Sequence, residues 1–172
     1  MATTPALLSI DAYLHTSYKP DVDFVDGEIE ERNLGEFEHA RLQTLLAIYF
    51  GANENGWGVT GVVEQRIRVA KNRVRICDFA LLRADAARER VTETPPLICI
   101  EVLSPEDRIN RAERVLADYR AMGVQNIWLI DPLRRSAHTF DTAGLHHADP
   151  TRLAVPNTPI LLDLTDAFAA LD

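Results

Sequence analysis

Apolar residues recur with a helical period in some stretches of the chain and with a period of two in others, and the order of these stretches predicts an α/β fold. Ser9 precedes a short apolar-periodic stretch, Ile10 to Tyr18, which reads as a first helix with Ser9 as its N-cap. Phe24 to Ile29 reads as a hairpin turning at Asp26-Gly27, and polar residues up to Gly35 form a loop. From Glu36 to about Asn53 the pattern is helical, with Leu42, Leu45, Leu46 and Tyr49 on one buried face. Glu38 lies one turn before Leu42 and is expected to share that face, with His39 as its partly exposed neighbour. Gly58 to Val69 and Arg73 to Arg83 form the next hairpin, turning at Lys71-Asn72. Matching polar face to polar face across this turn puts Gln65 beside Asp78 and leaves Arg66, Arg68, Arg73 and Arg75 on the opposite face.

Ala84 to Pro96 reads as a loop, and Leu97 to Leu103 is apolar on both alternations, as expected of a strand covered on both sides. Ser104, Pro105, Glu106 and Asp107 then supply an N-cap, a first-turn proline and first-turn acids. The helix they open runs to Met122, burying Ile109, Ala112, Leu116 and Tyr119, and Gly123 ends it. Ile127 to Ile130 is a further buried strand, so strand, helix and strand predict a right-handed parallel crossover. Ala137 to Phe140 and the segment from Gly144 to Asp172 promise a further short strand or two, with weak signals.

Two acids interrupt this pattern. Asp78 stands inside the run Arg75 to Leu82, and Glu101 inside Leu97 to Leu103. A carboxylate in such a run is costly to desolvate unless a cation or donor meets it. Acids on consecutive strands therefore point to a shared divalent metal, or to carboxylates that face water or pair with arginine.

Composition narrows the field. At 172 residues and 47% hydrophobic, the chain suits one domain spanning 1–172 with a substantial core. No apolar run approaches the roughly 20 residues of a membrane span, and the N-terminus lacks a signal-peptide layout, so a cytoplasmic location is expected. Cys77 and Cys99 form no disulfide framework and lack zinc-site spacing, so they are expected to be reduced core thiols. A formal net charge of -8 argues against a generic nucleic-acid coat, so any DNA contact needs a local basic patch.

The elements fall in the order helix with Glu38, hairpin ending in Asp78, strand with Glu101, helix, strand. This order is similar to the restriction-endonuclease core of the PD-(D/E)xK superfamily, a mixed central sheet flanked by helices (αβββαβ), here with an N-terminal hairpin. More closely the chain resembles the bacterial Uma-two family of restriction-endonuclease-like proteins. The resemblance rests on Phe24 to Glu28, Glu38-His39, Glu64-Gln65-Arg66, Arg75 to Asp78, Ile100 to Pro105, Tyr119 with Gly123-Val124, and Trp128 to Pro132. It implies a metal-dependent endonuclease that hydrolyses DNA with a metal-activated water, in the cytoplasm and often as a homodimer. It carries metal binding to Asp78 and Glu101, with Mg²⁺ or Mn²⁺ as the ion, and gives Glu38 the acid that completes such sites. Gln65 would orient water or a ligand carboxylate unless it is a structural glutamine. Arg114 would clamp a phosphate unless it belongs to a solvated stripe with Arg108 and Arg111. Two positions depart from the pattern: Cys77 replaces the motif proline and Leu103 the motif lysine. The chain's lysines, Lys19 and Lys71, are not placed to substitute. The departure leaves a rival reading open, a non-catalytic nuclease-fold protein that binds or regulates, and beside it an α/β enzyme with a metal and a different substrate.

Overall fold

A computed structural model of the chain describes residues 7–32, 36–104 and 109–172. The expected loop end at Gly35 and the expected helix start at Pro105, Glu106 and Asp107 lie outside the described residues, as does Arg108. The elements run α1 (Ile10–Leu14), β1 (Asp23–Val25), β2 (Glu28–Glu30), α2 (Phe37–Trp57), β3 (Val59–Ala70), β4 (Arg73–Arg83), β5 (Ile98–Val102), α3 (Ile109–Met122), β6 (Asn126–Asp131), β7 (Ser136–Asp141), β8 (Gly144–His147), β9 (Arg152–Ala154), β10 (Leu161–Asp163) and α4 (Leu164–Ala169). The stretch from α2 to β6 is the αβββαβ core that the order of apolar patterns predicts.

Local chemistry explains most boundaries. The Ser9 hydroxyl accepts from the Ala12 N–H at 3.1 Å, so α1 starts where expected, but it stops at Leu14 rather than Tyr18. Asp26 and Gly27 both hold positive φ, 52° and 101°, which gives the two-residue turn joining β1 to β2 the twist its strands need. Helix α2 continues past Asn53 to Trp57, where Gly58 at φ 65° stops it. Its buried residues are His39, Leu42, Leu46 and Phe50, while Leu45 and Tyr49 lie at the edge of the stripe. Helix α3 buries Val115, Leu116 and Tyr119, but Ile109, expected inside, is 44% exposed.

The main sheet runs β2-β1-β4-β5-β6-β7-β8, with β3 paired to β4 as well. The β5–β6 pair is parallel and the others are antiparallel. One edge of β4 is shared: β1 pairs with Arg73 and Val74, and β5 with Phe79, Ala80 and Leu81. Between these stretches that edge has no strand partner among the described residues, and aspartates supply the missing acceptors. Asp23 accepts from the Ile76 N–H at 3.0 Å, and Asp78 accepts from the Val102 N–H at 2.8 Å.

Face alternation also breaks here. Cys77 packs with Val115, Leu116 and Tyr119 of α3, whereas Phe79 and Leu81 pack with Leu42, Leu46 and Phe50 of α2. Residues of one parity thus switch faces around Asp78, which strict alternation forbids. The core under α2 is closed by Leu153, Ile160, Leu162, Leu164 and Phe168 from the C-terminal segment, where the sequence pattern is weakest. Cys77 and Cys99 are buried free thiols. Among the described residues, no helix is long and apolar enough to cross a membrane.

Candidate functional site

Strand β4 carries Asp78 to the break in the sheet, where it is 2% exposed and both of its carboxylate oxygens are engaged. Its Oδ2 caps the Val102 N–H, while Oδ1 accepts from Arg32 Nη2 at 2.6 Å and lies 3.5 Å from His39 Nε2. The Asp78 backbone carbonyl accepts from Gln43 Nε2 at 3.0 Å. Burial pushes the Asp78 carboxyl up, but His39, Arg32 and the Val102 N–H outweigh it and hold the group below its usual range.

On β3, Glu64 occupies the position across from Asp78, between the pairs Val63↔Phe79 and Gln65↔Cys77. It holds φ at 50°, a left-handed conformation that costs a non-glycine residue in a strand about 1–2 kcal/mol. The twist brings its carboxylate to Arg32 and to Gln43 Nε2, the latter at 2.6 Å. His39, Glu64 and Asp78 each offer a ligand atom, and these atoms lie within 4.8 Å of one another. Two carboxylates and an imidazole form a donor set suited to a divalent ion such as Mn²⁺. His39 Nδ1 is buried without a hydrogen-bond partner, and the imidazole is held above its usual pKa because Asp78 outweighs the effect of burial.

Glu101 enters from β5. The β4–β5 register, extended by one pair, sets it opposite Asp78, but its Oε1 accepts from Tyr119 of α3 at 2.6 Å. Burial first, and then the Asp78 charge, push the Glu101 carboxyl well up, so this pair holds a proton on Glu101 before it holds one on Asp78.

The other residues singled out in the sequence are placed differently. Glu38 is half-buried in the first turn of α2 and outside the three-residue group; its neighbour His39, expected to be partly exposed, is the residue that faces Asp78. The reason is helical phase: His39 lies 7 and 11 residues before the buried Leu46 and Phe50, spacings of about two and three turns. Gln65 is not beside Asp78. It pairs with Cys77, and its amide donates to Thr92 Oγ1 at 3.0 Å, which makes it a structural tie between β3 and the 84–97 segment. Arg114 is exposed and lines a separate hollow of about 340 Å³ with Glu30, Arg73, Arg75 and Asp118. Leu103, at the position of the motif lysine, packs into the α3 side of the core.

The arginines expected on the face opposite Asp78 are tied to carboxylates: Arg66 to Asp21, Arg68 to Glu93, and Arg73 to Asp26 and Asp118. Arg75 is buried among Asp23, Glu30 and Asp118. Arg32, Gln43 and Glu64 complete the site without having been singled out for it. Gln43 was legible as the residue one helical turn after His39. Arg32 carries no sequence signal, because only the folded chain brings it to Asp78.

A sheet of this order, with one helix layer on each face and acids meeting where β4 and β5 part, defines a restriction-endonuclease-like α/β fold. The chain belongs to the Uma2 family, described as "Putative restriction endonuclease", whose model matches residues 10–170. A search of curated proteins finds no match. Among solved structures, the chain is similar to one described as a putative nuclease belonging to DUF820 from Anabaena variabilis. The two share 17% identity at a TM-score of 0.81, over 96% of this chain and 99% of that one. At that identity the likeness establishes a common fold.

Proposed function

We propose that the chain is a divalent-metal-dependent nuclease that hydrolyses phosphodiester bonds in DNA at the break between β4 and β5. The observation that carries this reading is the meeting of His39, Glu64 and Asp78 from α2, β3 and β4, with Glu101 next to them on β5. Family membership and the likeness to a protein described as a nuclease support it. Asp78, His39 and Glu64 would hold the ion, and Glu101 would join them when it gives up its proton. A bound Mg²⁺ or Mn²⁺ supplies a polarised phosphate and a water of lowered pKa.

The chain's own residues do the rest. Val102 N–H fixes the rotamer of Asp78, Gln43 holds the Glu64 carboxylate against the Asp78 backbone, and Tyr119 aims Glu101. The imidazole makes the donor set softer than carboxylates alone, which favours Mn²⁺ over Mg²⁺. The test is cleavage of single- and double-stranded DNA with each ion by the full chain and by Asp78→Asn and Glu101→Gln. Metal-dependent cleavage that disappears in both variants is expected, and cleavage surviving in either would overturn the assignment.

A second reading, a non-catalytic binding or regulatory module, is favoured by the contact of Arg32 with Asp78 and by the packed Leu103 in place of a lysine. It predicts Mn²⁺ or DNA binding with no cleavage of any substrate.

A further inference from the structure

The acids of this site are not bare. Arg32 reaches from the segment between β2 and α2 to bridge two of the three prospective ligands, donating from Nη2 to Asp78 Oδ1 at 2.6 Å and from Nη1 to Glu64 Oε2. We propose that Arg32 is the resident counter-cation of the metal site, and that a divalent ion loads only by displacing its guanidinium. This inference rests on the metal-site reading above.

Three physical facts carry it. First, the position is shared. An ion bound to Asp78 Oδ1 and Glu64 would sit roughly 2.0–2.6 Å from their oxygens, in the space where the Arg32 nitrogens now make their bonds. The other Asp78 oxygen accepts from the Val102 N–H, so Oδ1, the oxygen turned to Glu64, is the one that Arg32 and an ion would share.

Second, a fixed cation already offsets part of the acids' charge. Asp78 and Glu64 face Arg32, with the His39 imidazole beside them. An arginine cannot relieve repulsion from an incoming ion by losing its proton, as a lysine could, so it must move.

Third, the backbone near Arg32 is held. The Glu31 carbonyl accepts from Arg111 Nη2 at 3.0 Å, so the motion falls to the Arg32 side chain. Its way out is on the side of Glu64, which is 45% exposed where Asp78 is 2% exposed.

The test measures Mn²⁺ affinity by calorimetry on the full chain at fixed pH. Arg32→Gln is expected to bind Mn²⁺ at least about ten-fold tighter than the parent, because it removes the competing charge. Arg32→Lys keeps a cation, and so a partner for Asp78, but loses the fork; it should bind more tightly by a smaller factor. Melting gives a second readout: in EDTA, Arg32→Gln should melt below the parent, and Mn²⁺ should raise its melting temperature by more. Affinity equal to or weaker than the parent's in both variants would overturn the proposal, with Asp78→Asn as the control for specific binding. Binding in neither parent nor variants would remove the metal site itself. Tight binding by Arg32→Gln without DNA cleavage would support displacement while defeating the nuclease reading.

Discussion

Asp78 does two jobs at once. It satisfies a backbone N–H that the splitting sheet leaves over, and it presents its other oxygen to Arg32 and His39. Removing one partner of a buried charge cluster strands the others, which costs about 3–5 kcal/mol. Asp78→Ala should lose stability of that order in chemical denaturation, because the Val102 N–H and His39 would lose their acceptor and Arg32 one of its two. Asp78→Asn keeps an acceptor for Val102 and should lose less, while Mn²⁺ binding disappears in both. Equal stability losses would show that the acceptor role is unimportant. The sequence exposed Asp78 and Glu101 because each breaks an apolar run, a signal that survives without coordinates. Arg32 breaks no such run, so its role is invisible until the chain is folded.

Among the elements, β3 shows how a site distorts a strand. Glu64 holds φ at 50°, so a glycine there escapes the steric cost while an alanine retains it. With the carboxylate gone in both, Glu64→Gly should be more stable than Glu64→Ala by about 1 kcal/mol in denaturant melts. In a regular strand the order would be reversed.

A second irregularity in β3, a shift of register between Ile67 and Ala70, is what moved Gln65 away from Asp78. Counting from the Lys71-Asn72 turn pairs Gln65 with Asp78, whereas the shifted register pairs Gln65 with Cys77 and sets Glu64 across from Asp78. The β7–β8 hairpin makes a separate prediction. Burial, and then His147, hold the His138 imidazole below its usual 6.5. The folded state therefore resists a proton that the unfolded chain accepts near 6.5. The stabilising contribution is present above that pH and is lost as pH falls through it towards the lowered folded value. His138→Leu should flatten this part of the stability–pH curve; an unchanged slope would locate the titration elsewhere.

For the whole molecule, the C-terminal segment matters more than its sequence suggests. Leu162 is 1% exposed and belongs to the cluster that α2 and the sheet enclose. Leu162→Ala should cost about 3 kcal/mol, read from a denaturant midpoint, as for other fully buried leucines. A surface change of under about 0.5 kcal/mol would show the segment to be peripheral. With a net charge of -8 and its β3–β4 arginines tied to acids, the molecule offers DNA little general attraction. DNA binding should therefore depend on divalent ion and fade between low and physiological salt, as fluorescence anisotropy would record.

The amino-acid sequence by itself determined the αβββαβ order, the hairpin turn at Asp26-Gly27, the helix stops at glycine and the two acids on neighbouring strands. These follow from periodicity, from capping chemistry and from the cost of burying charge, all of them local. Tertiary structure alone decided that His39 rather than Glu38 faces the acids, that Glu64 rather than Gln65 stands across from Asp78, and that Arg32 lies over both. Those outcomes depend on the phase of one helix against the sheet, on the register shift between Ile67 and Ala70, and on where β1 and β5 divide the edge of β4, which no window of neighbouring residues encodes.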